Sequence, residues 1–134
     1  MTSEHVACAG GIVLDEARRL LVVRRAQPPS QGLWSVPGGR CLIGEPADAA
    51  CVREVAEETG LTVRAVGFAG RVARDGPGGV IYDIDDFVCE PTGGTLQAGD
   101  DALAARWVTL ADLDALPLVD GLREALAGWD CLPG

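Results

Sequence analysis

The stretch Gly39–Leu61, GRCLIGEPADAACVREVAEETGL, decides how the rest of the chain is read. Pro46 suits the first position of a helix and Gly60 suits its C-terminal cap, so a helix is expected over Pro46–Thr59. Projected at about 100° per residue, Val52, Val55, Ala56 and Ala49 form one apolar stripe and Glu54, Glu57 and Glu58 share the opposite face. Physics disfavours that charge pattern. Like charges three or four residues apart cost a few tenths of a kcal/mol per pair. Glu57 and Glu58 also sit in the last turn, at the negative end of the helix dipole. Arg53 offsets part of this. The face is either solvated acid or a seat for a hard divalent cation, Mg²⁺ or Mn²⁺, which takes oxygen ligands from carboxylates, water and phosphates.

On the N-terminal side of this helix, Val6–Leu14 and Leu20–Arg25 read as strands and resemble a hairpin around Asp15–Ala17. Gln27–Gly32 is a loop, and Leu33–Val36 is a short extended piece before the turn at Pro37–Gly39. Beyond the helix, Leu61–Ala73 and Val80–Glu90 read as strands around a turn at Asp75–Gly79, with a further turn at Pro91–Gly94. Ala104–Leu110 is a last strand and Val119–Trp129 an amphipathic helix. There is no repeat or low-complexity tract. The expectation is one α/β domain over residues 1–134, with helices packed on a mixed β-sheet.

Composition removes several chemistries. The chain has 134 residues, 48% of them hydrophobic and 23% charged, within the range of soluble domains. All 11 basic residues are arginine, which excludes Schiff-base chemistry and a P-loop lysine. His5 is the single histidine, so a histidine-rich zinc site or a Ser–His–Asp triad is not expected. The five cysteines lack any Cys-x-x-Cys spacing and read as reduced thiols. A net charge of −9 argues against nucleic-acid binding. With no long apolar run and no signal-peptide layout, neither membrane contact nor export is expected, and the protein is read as cytoplasmic.

From Gly39 the chain runs through five residues to Glu45, then seven more to Arg53-Glu54-Val55-Ala56-Glu57-Glu58-Thr59-Gly60-Leu61. This resembles the Nudix box, G-x5-E-x7-R-E-U-x-E-E-x-G-U with U apolar, over residues 39–61 and at every fixed position. The flanking Leu21–Arg25, Gly32–Gly39 and Ala105–Leu110 resemble the corresponding segments of MutT-type and ADP-ribose pyrophosphatase-type enzymes. The resemblance implies a Nudix-type α/β/α sandwich and metal-dependent hydrolysis of a nucleoside diphosphate linked to X. It assigns Glu54, Glu57 and Glu58 to the metal and to activation of water, with the Gly38 carbonyl as a further ligand. Arg53 would orient the carboxylates, Gly39 would shape the loop, and Glu45 and Gly60 would be structural. The general base would come from the box or from the loop before the last strand, where Asp101 and Asp100 stand.

Substrate contacts are expected from Arg25, Arg24 and Arg40 on phosphates and from Trp34 on a base. Pro77, 16 residues beyond Leu61, sits where a proline accompanies ADP-ribose pyrophosphatases. The partner is thus a small nucleotide, ADP-ribose or a similar nucleoside diphosphate sugar, with a MutT-like (d)NTP pyrophosphohydrolase as the alternative and a non-catalytic sensor as a minor one. The chain would act as a monomer or homodimer.

Overall fold

The computed structural model describes residues 3–134. In chain order the elements are β1 (His5–Val13), β2 (Leu20–Arg25), β3 (Trp34–Ser35), β4 (Gly38–Arg40), α1 (Ala47–Thr59), β5 (Leu61–Asp75), a 3₁₀ turn (Pro77–Gly79), β6 (Ile81–Gly94), β7 (Ala102–Val108), α2 (Leu110–Ala115) and α3 (Leu122–Gly128). A four-stranded mixed sheet has the order β4-β1-β6-β5, in which β1 and β6 are parallel and the other pairs antiparallel. A three-stranded antiparallel sheet has the order β3-β2-β7.

Strands β1 and β2 are covered on both sides, which explains their near-continuous apolar sequences. Ala9, Val13 and Leu21 pack with Ala50, Cys51 and Val55 of α1. Ile12, Leu20 and Val22 point the other way and pack with Leu113, Leu122 and Leu126 of α2 and α3. The strands therefore lie between helical layers, the α/β/α arrangement expected. The two strands do not form the expected hairpin. Only a bridge between Leu14 and Leu20 joins them, after which they enter different sheets.

Three other boundaries differ from expectation for identifiable reasons. Pro91–Gly94 continues β6 rather than turning, because an irregularity beside Val63 accommodates Pro91 in the ladder. The last helix begins only at Leu122. Residues 117–119 are held extended by Trp34, whose N–H donates to Pro117 O at 2.9 Å and whose carbonyl accepts from Val119 N at 3.0 Å. Helix α2 was not anticipated, although its signal is local. The Thr109 hydroxyl accepts from Asp112 N–H at 3.2 Å while the Asp112 carboxylate accepts from Thr109 N–H at 3.0 Å, a reciprocal capping box.

Helix α1 keeps its expected span, with Pro46 as the N-cap and Gly60 left-handed at φ 75°. Its buried side is rotated from the predicted stripe. Ala50, Cys51, Val55 and Thr59 are buried, whereas Ala49 and Ala56 are exposed. The helix seats against Gly11 of β1, where an added Cβ would lie 2.7 Å from Val55 Cγ2 and 3.2 Å from Cys51 Sγ. Gly11→Ala is accordingly expected to force α1 off the sheet, costing about 1–3 kcal/mol. A thermal melt should show a midpoint lowered by several degrees with the far-UV spectrum retained.

Candidate active site

The rotation of α1 decides the site. Counted at about 100° per residue from Val52, Ala50 and Cys51 fall near 160° and 260°, and Glu54 and Glu58 fall between them, near 200° and 240°. Two of the three glutamates thus belong to the side that faces the sheet. The Glu54 side chain is only 14% exposed, whereas Glu57 is 58% exposed. Strand β4 meets this pair through its two glycines, Gly38 and Gly39. A Cβ on Gly38 would lie 2.4 Å from Ala9 O of β1, and one on Gly39 would lie 2.6 Å from the Glu54 carboxylate. Glycine at both positions lets β4 fit between β1 and α1. The Gly38 N–H donates to Glu58 Oε2 at 2.8 Å.

Arg53 ties the loop before the helix to this cluster. Its Nε and Nη2 donate to the two oxygens of Glu45, both at 2.9 Å, in a two-pronged pair. Nη1 donates to Glu54 at 2.8 Å and to Glu57 at 3.1 Å, and Nη2 also donates to Arg40 O at 2.9 Å. Glu45 in turn accepts from Leu42 N–H at 3.0 Å. The bonds from Arg53, helped by that backbone bond, hold the Glu45 carboxyl down at about 2. Glu45 is therefore the anchor of Arg53, and Arg53 the clamp on Glu54 and Glu57.

Glu58 lies beyond that clamp. Burial pushes its pKa up to about 8, the nearby charges of Glu54 and Asp101 add to the rise, and only the Gly38 N–H and Arg25 oppose it. Glu54 is raised too, by burial first, with Arg53 holding it down. Two desolvated carboxylates one helical turn apart suit a hard divalent cation, which would replace the missing positive charge. Among the described residues no three His, Cys, Asp or Glu side chains converge into a ready shell. A cation here would complete its coordination with backbone oxygen, water and substrate phosphate, the usual arrangement for Mg²⁺.

The carboxylates open onto a cleft of ≈ 840 Å³. Gly38, Gly39, Glu54, Glu58, Arg25, Arg40 and Asp101 all line it. Arg25 is steadied by donation from Nε to Pro29 O at 2.8 Å. Arg40 is turned toward Tyr82, with Nη2 2.9 Å from the hydroxyl and the guanidinium 5.4 Å from the ring centre. Asp101 is brought in by the loop before β7, which caps the C-terminal end of α1. There Gln97 N donates to Thr59 O at 2.8 Å and Gly99 N to Glu58 O at 2.9 Å. Asp100 of the same loop does not line the cleft.

Other expected contacts stand outside it. Arg24 turns back on the loop, donating to Gly32 O at 3.0 Å. Trp34 is 9% exposed and packs with Ile12, Val22 and Leu122 in the core, so its ring is not available to stack on a base. Pro77 is exposed at the tip between β5 and β6. The sequence reading missed the far wall of the cleft, which carries Val72 and Arg74 from β5 and Tyr82, Ile84 and Asp86 from β6. A signal was present. Along Tyr82, Ile84, Asp86 and Val88, every second residue of a strand, one acid interrupts an otherwise apolar or aromatic face.

The model of the NUDIX domain matches residues 4–128. The chain belongs to the NUDIX family. An ADP-ribose pyrophosphatase from Methanocaldococcus jannaschii is 35% identical over 115 residues, covering 84% of this chain and 67% of the relative. A MutT-like protein from Streptomyces ambofaciens is 32% identical over 128 residues, covering 90% and 79%. Among solved structures, the MutT NUDIX hydrolase of Burkholderia pseudomallei superposes with a TM-score of 0.82 at 26% identity, over 93% of this chain and 98% of that one. This NUDIX protein is a hydrolase of phosphoanhydride bonds in small nucleotide substrates, and the family works with a divalent metal. Among the described residues no helix is long and apolar enough to cross a membrane.

The shift of Glu58 sets a pH dependence for the metal-free NUDIX chain. A carboxyl whose folded pKa is about 8 and whose unfolded pKa is about 4.3 binds more protons when folded. Its contribution to stability is complete below the unfolded value and is lost as pH rises toward 8. Glu58→Gln has no such charge to bury. The variant is expected to melt above the wild type at pH 9 without divalent metal, the gap closing as pH falls toward 4.5. Equal melting temperatures at both pH values would contradict this.

Proposed function

We propose that this NUDIX hydrolase uses Mg²⁺, or Mn²⁺ in its place, to cleave the pyrophosphate of ADP-ribose or a similar nucleoside diphosphate sugar. The observation that carries the reading is the desolvated Glu54–Glu58 pair lining a cleft whose ≈ 840 Å³ suits a ligand of that size. The Methanocaldococcus relative supports the substrate class. Glu54 and Glu58, with Glu57 and the Gly38 carbonyl, would hold the ion. When bound, it supplies charge neutralisation for the pyrophosphate and acidifies a coordinated water.

In this reading each residue has a separate task. Arg53 keeps Glu54 and Glu57 oriented through the bonds described. Arg25 and Arg40, which line the same cleft, engage phosphate oxygens. A carboxylate, Asp101 or one of the box glutamates, receives the proton of the attacking water. The phosphoanhydride breaks, giving AMP and ribose phosphate from ADP-ribose. A second reading, cleavage of (d)NTPs to a nucleoside monophosphate and pyrophosphate, is favoured by the MutT-like relative and uses the same residues.

Product analysis separates the two. The protein is incubated with Mg²⁺ and ADP-ribose, other nucleoside diphosphate sugars and the (d)NTPs, including oxidised dGTP. We expect AMP from ADP-ribose, a rate about 10²–10⁴-fold lower for Glu58→Gln, and no turnover with chelator. Release of pyrophosphate from triphosphates alone would select the second reading. Arg53→Lys should lose rate as well, because one ammonium cannot hold Glu45, Glu54, Glu57 and Arg40 O together.

A further inference from the structure

Asp86 is 5% exposed, and its Oδ1 has no hydrogen-bond partner. It stands on β6 opposite Gly10 of the parallel strand β1. A Cβ on Gly10 would lie 2.2 Å from Asp86 Oδ1 and 3.3 Å from Pro37 O. The carboxylate therefore occupies a space that exists only because residue 10 is glycine. It lines the same cleft as the glutamates yet has no part in the chemistry assigned to them.

Burial pushes the pKa of Asp86 up to about 7, with Arg74 opposing the rise and Asp85 adding to it. Leaving such an acceptor buried and unpaired carries a penalty, and an apolar residue of similar size would avoid it. A bound group can remove it. An anionic phosphate cannot, since it would be repelled. A hydrogen-bond donor can. The surroundings favour a flat, weakly polar ring, because Val36, Val72, Ile84 and Leu122 line the cleft as well.

We propose that Asp86, seated in the gap left by Gly10, is a specificity-determining residue that accepts a hydrogen bond from the exocyclic amino group of the substrate's nucleobase. The inference rests on the hydrolase reading above and adds to it a choice among bases. A site built around an acceptor discriminates strongly against an analogue that lacks the donor, because the acceptor is then left buried and unpaired.

The test compares matched substrates. ADP-ribose is set against its analogue with hydrogen in place of the 6-amino group, and dGTP against dITP, which lacks the 2-amino group. For the pair the enzyme turns over, wild type is expected to favour the amino-bearing member by about tenfold or more in kcat/KM. Asp86→Val should bring that ratio close to one. Asp86→Asn, of nearly the same size, should lower it in between and serves if the valine variant fails to fold. Circular dichroism and melting temperature report on folding in both. A wild-type ratio near one, or a ratio unchanged in the variants while both rates fall together, would overturn the inference and leave the hydrolase reading intact. Absence of turnover on every member of the panel would overturn both.

Discussion

The hydrogen bond from Gly38 N–H to Glu58, at 2.8 Å, joins strand β4 to the last turn of α1, and the geometry of the site follows from it. Strand β4 can lie this close to both β1 and α1 only without side chains at Gly38 and Gly39. Both residues of β4 at the contact are glycine, and a Cβ on either would meet Ala9 O or the Glu54 carboxylate. The N–H stabilises the charge of Glu58 but cannot offset the loss of water around it, so the group remains raised to about 8. The fold thus holds a desolvated carboxylate, a charge that a divalent cation would offset in the proposed reading.

Arg53 distributes charge among the remaining acids. Its pair with Glu45 fixes the guanidinium plane, and the other nitrogens reach Glu54, Glu57 and the Arg40 carbonyl. Positive charge is therefore concentrated on Glu45 and Glu54 while Glu58 is left beyond its reach. Glu45, in the loop before the helix, is held near 2 by Arg53, while Glu58, on the helix and beyond that clamp, is pushed to about 8 by burial. The cleft repeats the pattern on β6. Asp86 is buried with a free oxygen, and Arg74 offsets its charge only in part.

The repeating parts of the fold were legible because they depend on neighbours in the chain. Strand periodicity, the Gly60 cap and the spacing of Arg53, Glu54, Glu57 and Glu58 all lie within short windows. The errors arose where distant segments compete. β1 and β2 look like a hairpin from their turn, but each is buried on both faces and each joins its own sheet. Val119 looks like the start of the last helix from the apolar spacing of Val119–Trp129, but the backbone of Trp34 holds residues 117–119 extended. Trp34 itself looked available to a base, and the same contacts hold it in the core.

The amino-acid sequence by itself determined the family, the box helix and the three glutamates with their arginine, because the chemistry demands particular residue types at fixed spacing along one helix. Only the tertiary structure decided which glutamates are buried. The helix was rotated so that Glu54 and Glu58 face β4 and Glu57 faces water, a choice made by packing Ala50, Cys51 and Val55 against the sheet. Tertiary structure also separated Asp101 from Asp100, drew Arg25 into the cleft while leaving Arg24 outside, and placed Asp86 beside Gly10. These positions depend on register between strands far apart in sequence, and a one-residue change in register exchanges the two faces of a strand.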